Sequence, residues 1–262
     1  MAKIVPLFSS SRGNSYYIQG NTGAILIDAG RNCKQIELAL DANGLSPENV
    51  KAVFVTHEHS DHVSALNVLV KRYKLPVYAT QGTMEELISK NILPAGAQAH
   101  IIEDTVSAFD FEVRRVETSH DARESCGYFI TTPDHRKVSV VTDTGFLTDD
   151  AKAAIAQSHC AVVESNHDIN MLKNGGYPYI IKKRLLSDVG HLSNLSCAEA
   201  LPAFVESGLT RIILAHLSAE NNMPSIALRE AVSSLSRAGM AINCDYMIDV
   251  ASPDCISKGM VF

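Results

Sequence analysis

Short apolar runs alternate with amphipathic stretches along the chain, and this alternation predicts an α/β protein. Compact runs of Val, Ile, Leu and Ala are typical of buried strands, whereas apolar positions three and four residues apart are typical of helices. Strands are predicted over residues 3–8, 15–20, 23–28, 51–56, 76–79, 107–117, 126–131, 137–142, 160–164, 211–215 and 246–250. Helices are predicted over residues 33–43, 63–73, 83–89, 149–157, 178–187, 195–206 and 225–238.

The order of these elements indicates how they pack. In each half of the chain, strands are followed by helices that need a sheet face to cover. Two sheets packed face to face, with helices outside both, satisfy this pattern. No internal repeat, low-complexity tract or Pro-, Gly- and Ser-rich linker interrupts it. The sequence therefore predicts a single domain over residues 1–262.

Composition narrows the classes of function. The chain has 262 residues, 46% of them hydrophobic and 20% charged, which excludes a disordered, collagen-like or coiled-coil protein. A net charge of −6 argues against coating of nucleic acid by bulk charge, but it leaves local phosphate binding open. No apolar stretch is long enough to cross a membrane, and no secretory signal follows Met1. Six cysteines without a CxxC spacing are typical of reduced thiols, so a cytoplasmic protein is expected.

The segment after the predicted strand 51–56 concentrates metal-binding side chains. Three imidazoles and two carboxylates fall within His57-Glu58-His59-Ser60-Asp61-His62. A strand end followed by a turn points alternate side chains into one cavity, and His and Asp are ligands for Zn²⁺, Mn²⁺ or Fe²⁺. A solvated polar turn is the alternative, but it does not account for the whole set. The segment is suited to serve two neighbouring metal ions.

The spacing His57-x-His59-x-Asp61-His62 resembles the central motif of the metallo-β-lactamase fold superfamily. Residues at other predicted strand ends match the rest of that pattern across nearly the whole chain, namely Asp28, Gly30, His120, Asp143 and His216. The resemblance implies an α/β fold, the four-layer αββα metallo-β-lactamase sandwich, with the site at one edge. It also implies two divalent metal ions, Zn²⁺ or Mn²⁺, as cofactors.

The resemblance assigns the ligands residue by residue. It implies one ion held by His57, His59 and His120 and a second held by Asp61, His62 and His216, with Asp143 bridging. Asp28 is expected to orient a ligand or loop instead of binding metal. Two metal ions about 3.5–4 Å apart supply a bridging hydroxide at neutral pH and clamp a phosphoryl or carbonyl oxygen.

Other segments bear on the substrate. Ser9-Ser10-Ser11-Arg12-Gly13-Asn14-Ser15 is a loop rich in hydroxyl groups, and Ser10, Ser11, Arg12 and Asn14 suit a phosphate. A plain hairpin turn is an equally good interpretation of that loop. Gly190-His191-Leu192-Ser193 resembles the additional His motif of tRNase Z-like nucleases, in which the His donates to the leaving oxygen and a strand-end Glu, here Glu164, polarises it. Ser193 is a candidate substrate ligand, with a helix N-cap in this region as the alternative.

The combined motifs look most like the WalJ (YycJ) family of small bacterial metallo-β-lactamase proteins. Membership implies a metal-dependent phosphodiesterase, a DNA exonuclease working from 5′ to 3′, with Asp61, His191 and Glu164 as catalytic residues. Two alternatives stay open: a thioester or lactone hydrolase of glyoxalase-II type, and a weakly catalytic regulatory module that binds DNA ends. The expected partner is nucleic acid, no membrane contact is expected, and a homo-oligomer is compatible with the sequence. The basic run Lys182-Lys183-Arg184 is equally compatible with a solvated helix face and with substrate binding.

Overall fold

The computed structural model describes residues 1–253 and 259–262, which form two compact units. The first unit comprises Met1–Arg115, Ala122–Arg136 and the described part of Ser252–Phe262, and the second comprises Val116–Asp121 and Lys137–Ala251. The single-domain organisation of the sequence analysis stays a prediction. Of the six cysteines, Cys255 lies outside the described residues.

A mixed sheet forms the centre of the first unit. Its strands are β1 (Lys3–Ser10), β2 (Gly13–Gln19), β3 (Ala24–Ile27), β4 (Val50–Phe54), β5 (Val77–Ala79), β6 (Ala99–Ile101) and β14 (Met260–Val261). Their order is β14-β1-β2-β3-β4-β5-β6. The pairs from β14 to β3 are antiparallel and those from β3 to β6 are parallel. The parallel strands place their carboxyl ends at one edge, and the His57–His62 segment follows β4 at that edge.

Helices of the first unit bury one apolar face against this sheet. They are α1 (Cys33–Ala42), α2 (Ser60–Val63), α3 (Leu66–Tyr73) and α4 (Gln81–Ser89), with a 3₁₀ turn at Pro47–Asn49. A capping box between Asn32 and Gln35 fixes the start of α1, because each side chain satisfies a backbone N–H of the other residue. The core joins sheet residues such as Leu26 and Val53 to Ile36 and Leu69 of the helices, all at most 1% exposed. Burial of such side chains contributes about 1.5–3 kcal/mol each.

The predicted helix 63–73 is interrupted, and its first turn starts earlier than expected. The carbonyl of His62 accepts a hydrogen bond from the backbone N–H of Ala29, and the backbone N–H of Ala65 donates to the carbonyl of Ala29, at 2.8 and 2.9 Å. Because these two groups bond to the strand-end loop, they cannot complete an intrahelical ladder. The break keeps Asp61 and His62 in a separate short turn.

The predicted strand 107–117 was wrong as a single element. It is a hairpin of β7 (Thr105–Ala108) and β8 (Phe111–Glu117), with Ala108 paired to Phe111. Phe109 adopts a left-handed φ of 58° at the turn, where Gly or Asn is the usual residue. The next strand, β9 (Cys126–Thr131), has the predicted bounds.

The second unit contains four parallel strands in the order β13-β12-β11-β10. Their bounds are β10 (Lys137–Val141), β11 (Cys160–Glu164), β12 (Arg211–Ala215) and β13 (Met247–Val250). The helices are α5 (Asp149–Ala156), α6 (Ile169–Asn174), α7 (Tyr179–Leu185), α8 (Asn194–Glu206) and α9 (Pro224–Arg237), of which only α6 was not predicted. Strands β10, β11 and β12 are mainly apolar because most of their residues are buried, whereas β13, at the edge of the sheet, is partly exposed.

Two coarse predictions can be compared with the described residues. Within residues 1–253 and 259–262, no helix combines the length and the apolar character that a membrane span requires. Four of the five described cysteines, Cys33, Cys126, Cys160 and Cys197, are buried free thiols, and Cys244 is exposed. The reduced state of the cysteines and the cytoplasmic location both stay predictions.

Candidate functional site

The predicted metal motif of the first unit lies directly beyond strand β4. His57 and His62 are 1% and 0% exposed, whereas His59 and Asp61 are half-buried. Nε2 of His57 lies 3.1 Å from Nδ1 of His59, so the two rings present nitrogen atoms to each other. His57 and His62 also pack ring against ring with centroids 4.0 Å apart. The turn therefore gathers the predicted ligands of this unit at one place.

Asp28 fixes the orientation of His62. Its Oδ2 atom lies 2.7 Å from Nδ1 of His62 and accepts a hydrogen bond of 2.9 Å from the hydroxyl of Thr56. Its Oδ1 atom accepts a 2.8 Å bond from the backbone N–H of Thr56. Burial raises the pKa of Asp28, and the bonds to His62 and Thr56 oppose that rise. An ionised Asp28 can only accept a hydrogen bond, so Nδ1 of His62 then carries the ring proton. The lone pair of His62 is therefore on Nε2, which faces away from the carboxylate.

The Ser-rich loop is a tight hairpin turn between β1 and β2, with Ser11 and Arg12 exposed at its tip. The backbone N–H of Arg12 donates to the hydroxyl of Ser10 over 3.2 Å, as in a plain turn. Asn14 points to the metal motif instead: its Nδ2 atom donates to Oδ2 of Asp61 at 3.2 Å and lies 3.0 Å from Nε2 of His62. The hairpin interpretation describes the backbone of this loop, and phosphate binding by it stays a prediction.

In the second unit, the ends of neighbouring parallel strands bring four titratable side chains together. Asp143 follows β10, Glu164 ends β11 and His216 follows β12, while His191 comes from the loop before α8. One ligand atom from each of these residues lies within 4.8 Å of the others. Asp143 and His216 both adopt left-handed φ angles, 57° and 55°, a conformation that is uncommon for non-glycine residues but in which Asp and His are enriched. The sequence analysis predicted all four of these residues.

Glu164 is fully buried and binds two imidazoles with one oxygen. Its Oε1 atom lies 2.7 Å from Nδ1 of His191 and 2.9 Å from Nδ1 of His216. Its Oε2 atom accepts a 2.8 Å bond from the backbone N–H of Thr144. Burial alone would raise the pKa of Glu164, but the charges and hydrogen bonds of His191 and His216 outweigh it and lower the pKa to about 2. An ionised carboxylate only accepts, so both Nδ1 atoms carry the proton and both Nε2 atoms face away from Glu164.

His120 is held in the same way by a backbone carbonyl. Its Nδ1 atom lies 3.1 Å from the carbonyl oxygen of Gly190, which fixes the proton on Nδ1. Its Nε2 atom lies 3.9 Å from Oδ1 of Asp143. Burial lowers the pKa of His120, and the charge of Asp143 opposes that shift. Gly190 is required at this contact because a Cβ atom there would lie 2.3 Å from the carbonyl of Arg184.

The donor sets of both units fit divalent metal ions. His62, His120 and His216 each direct Nδ1 at an oxygen acceptor and keep Nε2 as a lone-pair donor, the arrangement that metal-ligating imidazoles need. Neutral imidazole nitrogen and carboxylate oxygen are ligands that Zn²⁺ and Mn²⁺ both accept. The side chains of each unit are therefore suited to hold divalent metal.

Ser193 and Arg184 had alternative interpretations in the sequence analysis, and His167 was given no role there. Ser193 is the N-cap of α8, because its hydroxyl accepts a 3.1 Å bond from the backbone N–H of Ser196. Arg184 and Asp121 form an ion pair, with Nη2 of Arg184 2.8 Å from Oδ1 of Asp121. His167 is 1% exposed, and neither of its ring nitrogens has a hydrogen-bond partner among the described residues. The only sequence signal for His167 was its place three residues after Glu164.

Comparison with known proteins finds relatives and a solved structure that match nearly the whole chain. The family model for the beta-lactamase superfamily domain matches residues 24–217. The exodeoxyribonuclease YycJ of Bacillus anthracis is 37% identical over 255 residues, which cover 96% of each chain. The exodeoxyribonuclease WalJ of Streptococcus pneumoniae is 33% identical over 95% of this chain and 93% of its own. The crystal structure of the metallo-β-lactamase fold protein YhfI from Bacillus subtilis is similar at a TM-score of 0.70 and 16% identity, covering 97% and 98% of the two chains. The predicted fold class is confirmed.

Proposed function

The chain belongs to the metallo-β-lactamase superfamily, in the group of the YycJ and WalJ proteins, and from this membership we propose that it is a metal-dependent DNA exonuclease. Two relatives named exodeoxyribonucleases cover more than nine-tenths of the chain, which supports hydrolysis of phosphodiester bonds. The 5′ to 3′ direction is carried over from the family resemblance. DNA is therefore the proposed partner.

The 2.7 Å hydrogen bond between Glu164 and His191 is the observation that best supports phosphodiester hydrolysis. Cleavage of a phosphodiester releases an alkoxide that needs a proton, and His is the side chain that most often supplies one. The carboxylate holds Nδ1 of His191, so a protonated ring would donate from Nε2. With its side chain 11% exposed, His191 can be reached by a substrate, whereas Glu164 cannot. His191 is the proposed general acid, and Glu164 is the residue that positions it.

We assign divalent metal to the seven residues implied by the family resemblance. They are His57, His59, Asp61 and His62 in the first unit, and His120, Asp143 and His216 in the second. Divalent metal, when bound in pairs, lowers the pKa of water to near neutral and stabilises charge on a phosphoryl oxygen. Two ions, Zn²⁺ or Mn²⁺, are proposed. The protein's own contribution is to fix the donor atoms, through Asp28 on His62 and Gly190 on His120.

The proposed substrate contacts divide by burial. Ser11 and Arg12 are exposed at the tip of the β1–β2 turn and are proposed to bind a phosphate. Ser10 and Asn14 are buried, and we propose that they support that turn from below while Asn14 orients Asp61. Ser193, two residues after His191, is proposed to contact substrate, and its hydroxyl also caps α8.

The thioester form of the glyoxalase-II-type alternative is weaker because a thiolate leaves without help from an acid, so His191 would have no role as an acid in it. Turnover of a thioester, of bis-p-nitrophenyl phosphate and of DNA by one preparation distinguishes these reactions. Stoichiometric DNA binding without cleavage would favour the regulatory-module alternative. We expect turnover on both phosphodiesters and none on the thioester.

Digestion of end-labelled DNA tests the proposal directly. Duplex and single-stranded DNA, labelled at either end, are incubated with Zn²⁺, Mn²⁺ or Mg²⁺. We expect release of the 5′ label as short products before the 3′ label is affected. The Asp61→Ala variant should be inactive, and Asp41→Ala, on the exposed side of α1, should match wild type. Equal activity of Asp61→Ala and wild type would show that the proposed site is not used.

A further inference from the structure

Helix α7 carries apolar and basic side chains on its exposed surface. Tyr179 is 81% exposed and Ile180 is 74% exposed, and among the described large apolar side chains only Met1 is more exposed. Lys183 is exposed and lies one helical turn after Tyr179, so the two side chains share a face. We call Tyr179, Ile180, Lys182 and Lys183 the α7 face.

Positive charge is concentrated at the α7 face although the chain is acidic. Residues 169–187 contain Lys173, Lys182, Lys183 and Arg184 and no Asp or Glu, in a chain of net charge −6. Arg184 is neutralised by Asp121. Within the described chain, Lys173, Lys182 and Lys183 form no salt bridge, and Nζ of Lys182 donates to the carbonyl of Lys173 at 2.8 Å. The face therefore presents uncompensated cations beside an exposed aromatic ring.

The end of α7 is joined to the proposed catalytic segment. The ion pair of Arg184 with Asp121 ties the helix to the residue after His120. The backbone N–H of His191 donates to the carbonyl of Leu185 over 3.2 Å, and Gly190 packs against the carbonyl of Arg184. At 1.5 Å per residue, Tyr179 lies about 8 Å along the helix from Arg184, which corresponds to roughly two nucleotides of stacked strand.

We propose that the α7 face binds the single-stranded part of a DNA substrate, and this inference rests on the proposed nuclease function. A base would stack on Tyr179 while Lys183 and Lys182 bind the adjacent phosphates. Single-strand binding proteins combine aromatic platforms with a basic track in this way, without reading sequence. A second copy of the chain fits this surface less well, because a symmetric contact would bring two sets of cations together.

Equilibrium binding separates the inference from catalysis. Fluorescence anisotropy of a labelled oligothymidylate of about 12 nucleotides, within the usual range of single-strand sites, is measured in EDTA so that no cleavage occurs. We expect Tyr179→Ala to weaken binding about tenfold and Tyr179→Phe to retain it, since stacking needs the ring and not the hydroxyl. Lys183→Gln should reduce the slope of log K against log salt by about 0.7, the value for one phosphate contact on a single strand. Tyr179→Ala should leave that slope unchanged.

Matched controls lie on α1 of the first unit. Leu38→Ala and Lys34→Gln remove an exposed apolar side chain and an exposed cation, and both should bind as wild type. The inference is overturned if Tyr179→Ala and Lys183→Gln bind as tightly as these controls. It is also overturned if Tyr179→Ala changes the oligomeric state by light scattering while DNA affinity stays the same, because the face would then be a contact between copies. Failure of wild type to hydrolyse either DNA or bis-p-nitrophenyl phosphate would refute the nuclease proposal and leave this binding result standing.

Discussion

Oε1 of Glu164 lies 2.7 Å from Nδ1 of His191 and 2.9 Å from Nδ1 of His216, so one buried carboxylate orients a proposed general acid and a proposed metal ligand together. The sequence analysis predicted that Glu164 polarises His191 and that His216 binds metal. It did not predict that the same oxygen of Glu164 binds both imidazoles. Because both imidazoles depend on the same acceptor, loss of Glu164 affects both, whereas loss of either His leaves the other held.

Replacement of His191 tests the general acid. His191→Ala should lower kcat on DNA by about 10²–10⁴-fold, the range that general acid catalysis supplies. Bound metal, measured by elemental analysis, should stay at the wild-type level because His216 keeps its bond to Glu164. His100→Ala, an exposed His on β6, is the matched control. Unchanged turnover would remove His191 from the mechanism.

Asp28 is predicted to act on metal affinity through His62. Asp28→Asn keeps the shape of the side chain but replaces one acceptor oxygen with an N–H donor, which conflicts with Nδ1–H of His62 or the Thr56 groups. Loss of such an orienting partner typically lowers metal affinity about 10–100-fold. Competition with a chromophoric chelator measures the change. Asp41→Asn is the control, and equal affinity in both variants would mean that His62 is not oriented by Asp28 for metal binding.

Gly30 is predicted to admit no side chain. A Cβ atom there would lie 1.9 Å from the carbonyl oxygen of Asp61 and 2.4 Å from the backbone nitrogen of Asn14. Gly30→Ala should therefore lower the free energy of unfolding by about 1–3 kcal/mol, the usual cost of overpacking. It should also displace the turn that carries Asp61. Thermal unfolding should show a loss of several degrees. Gly176→Ala, where a Cβ meets nothing within 4 Å, should unfold as wild type. Similar melting of the two variants would contradict the tight approach.

Three strands have the bounds that the sequence analysis predicted, and most of their residues are buried. The bounds of β9, β11 and β12 agree with the sequence analysis because a short apolar run between polar residues has few other structures open to it. Three of the four predicted site residues of the second unit, Asp143, Glu164 and His216, meet because parallel strands end at one edge, and His191 joins them from the loop before α8. In the sequence analysis each of these three residues ended or followed a predicted strand, but it was the family resemblance that grouped them with His191.

Other features depend on contacts that a single sequence does not display. Ala29 interrupts the helix after Asp61 through backbone bonds only, so no side-chain pattern signals the break. Phe109 occupies a left-handed turn position with an apolar residue, which hid the β7–β8 hairpin. Asp28, Asp143 and His216 also adopt left-handed φ angles at their strand ends. Asp and His adopt this region more often than most residues, but the surrounding structure decides which of them do so.

His167 is predicted to make stability depend on pH. Burial lowers its pKa to about 4, against the opposing charge of Glu164, so the folded protein keeps it neutral where an unfolded chain protonates it. The unfolded state then binds the extra proton between pH 6.5 and about 4, and the free energy of unfolding falls by up to about 1.4 kcal/mol per pH unit as pH decreases through that window. Urea denaturation in EDTA at several pH values measures this slope. His167→Gln should lose that contribution, whereas His100→Gln should keep it. Parallel slopes for wild type and His167→Gln would show that His167 has the same pKa in the folded and the unfolded protein.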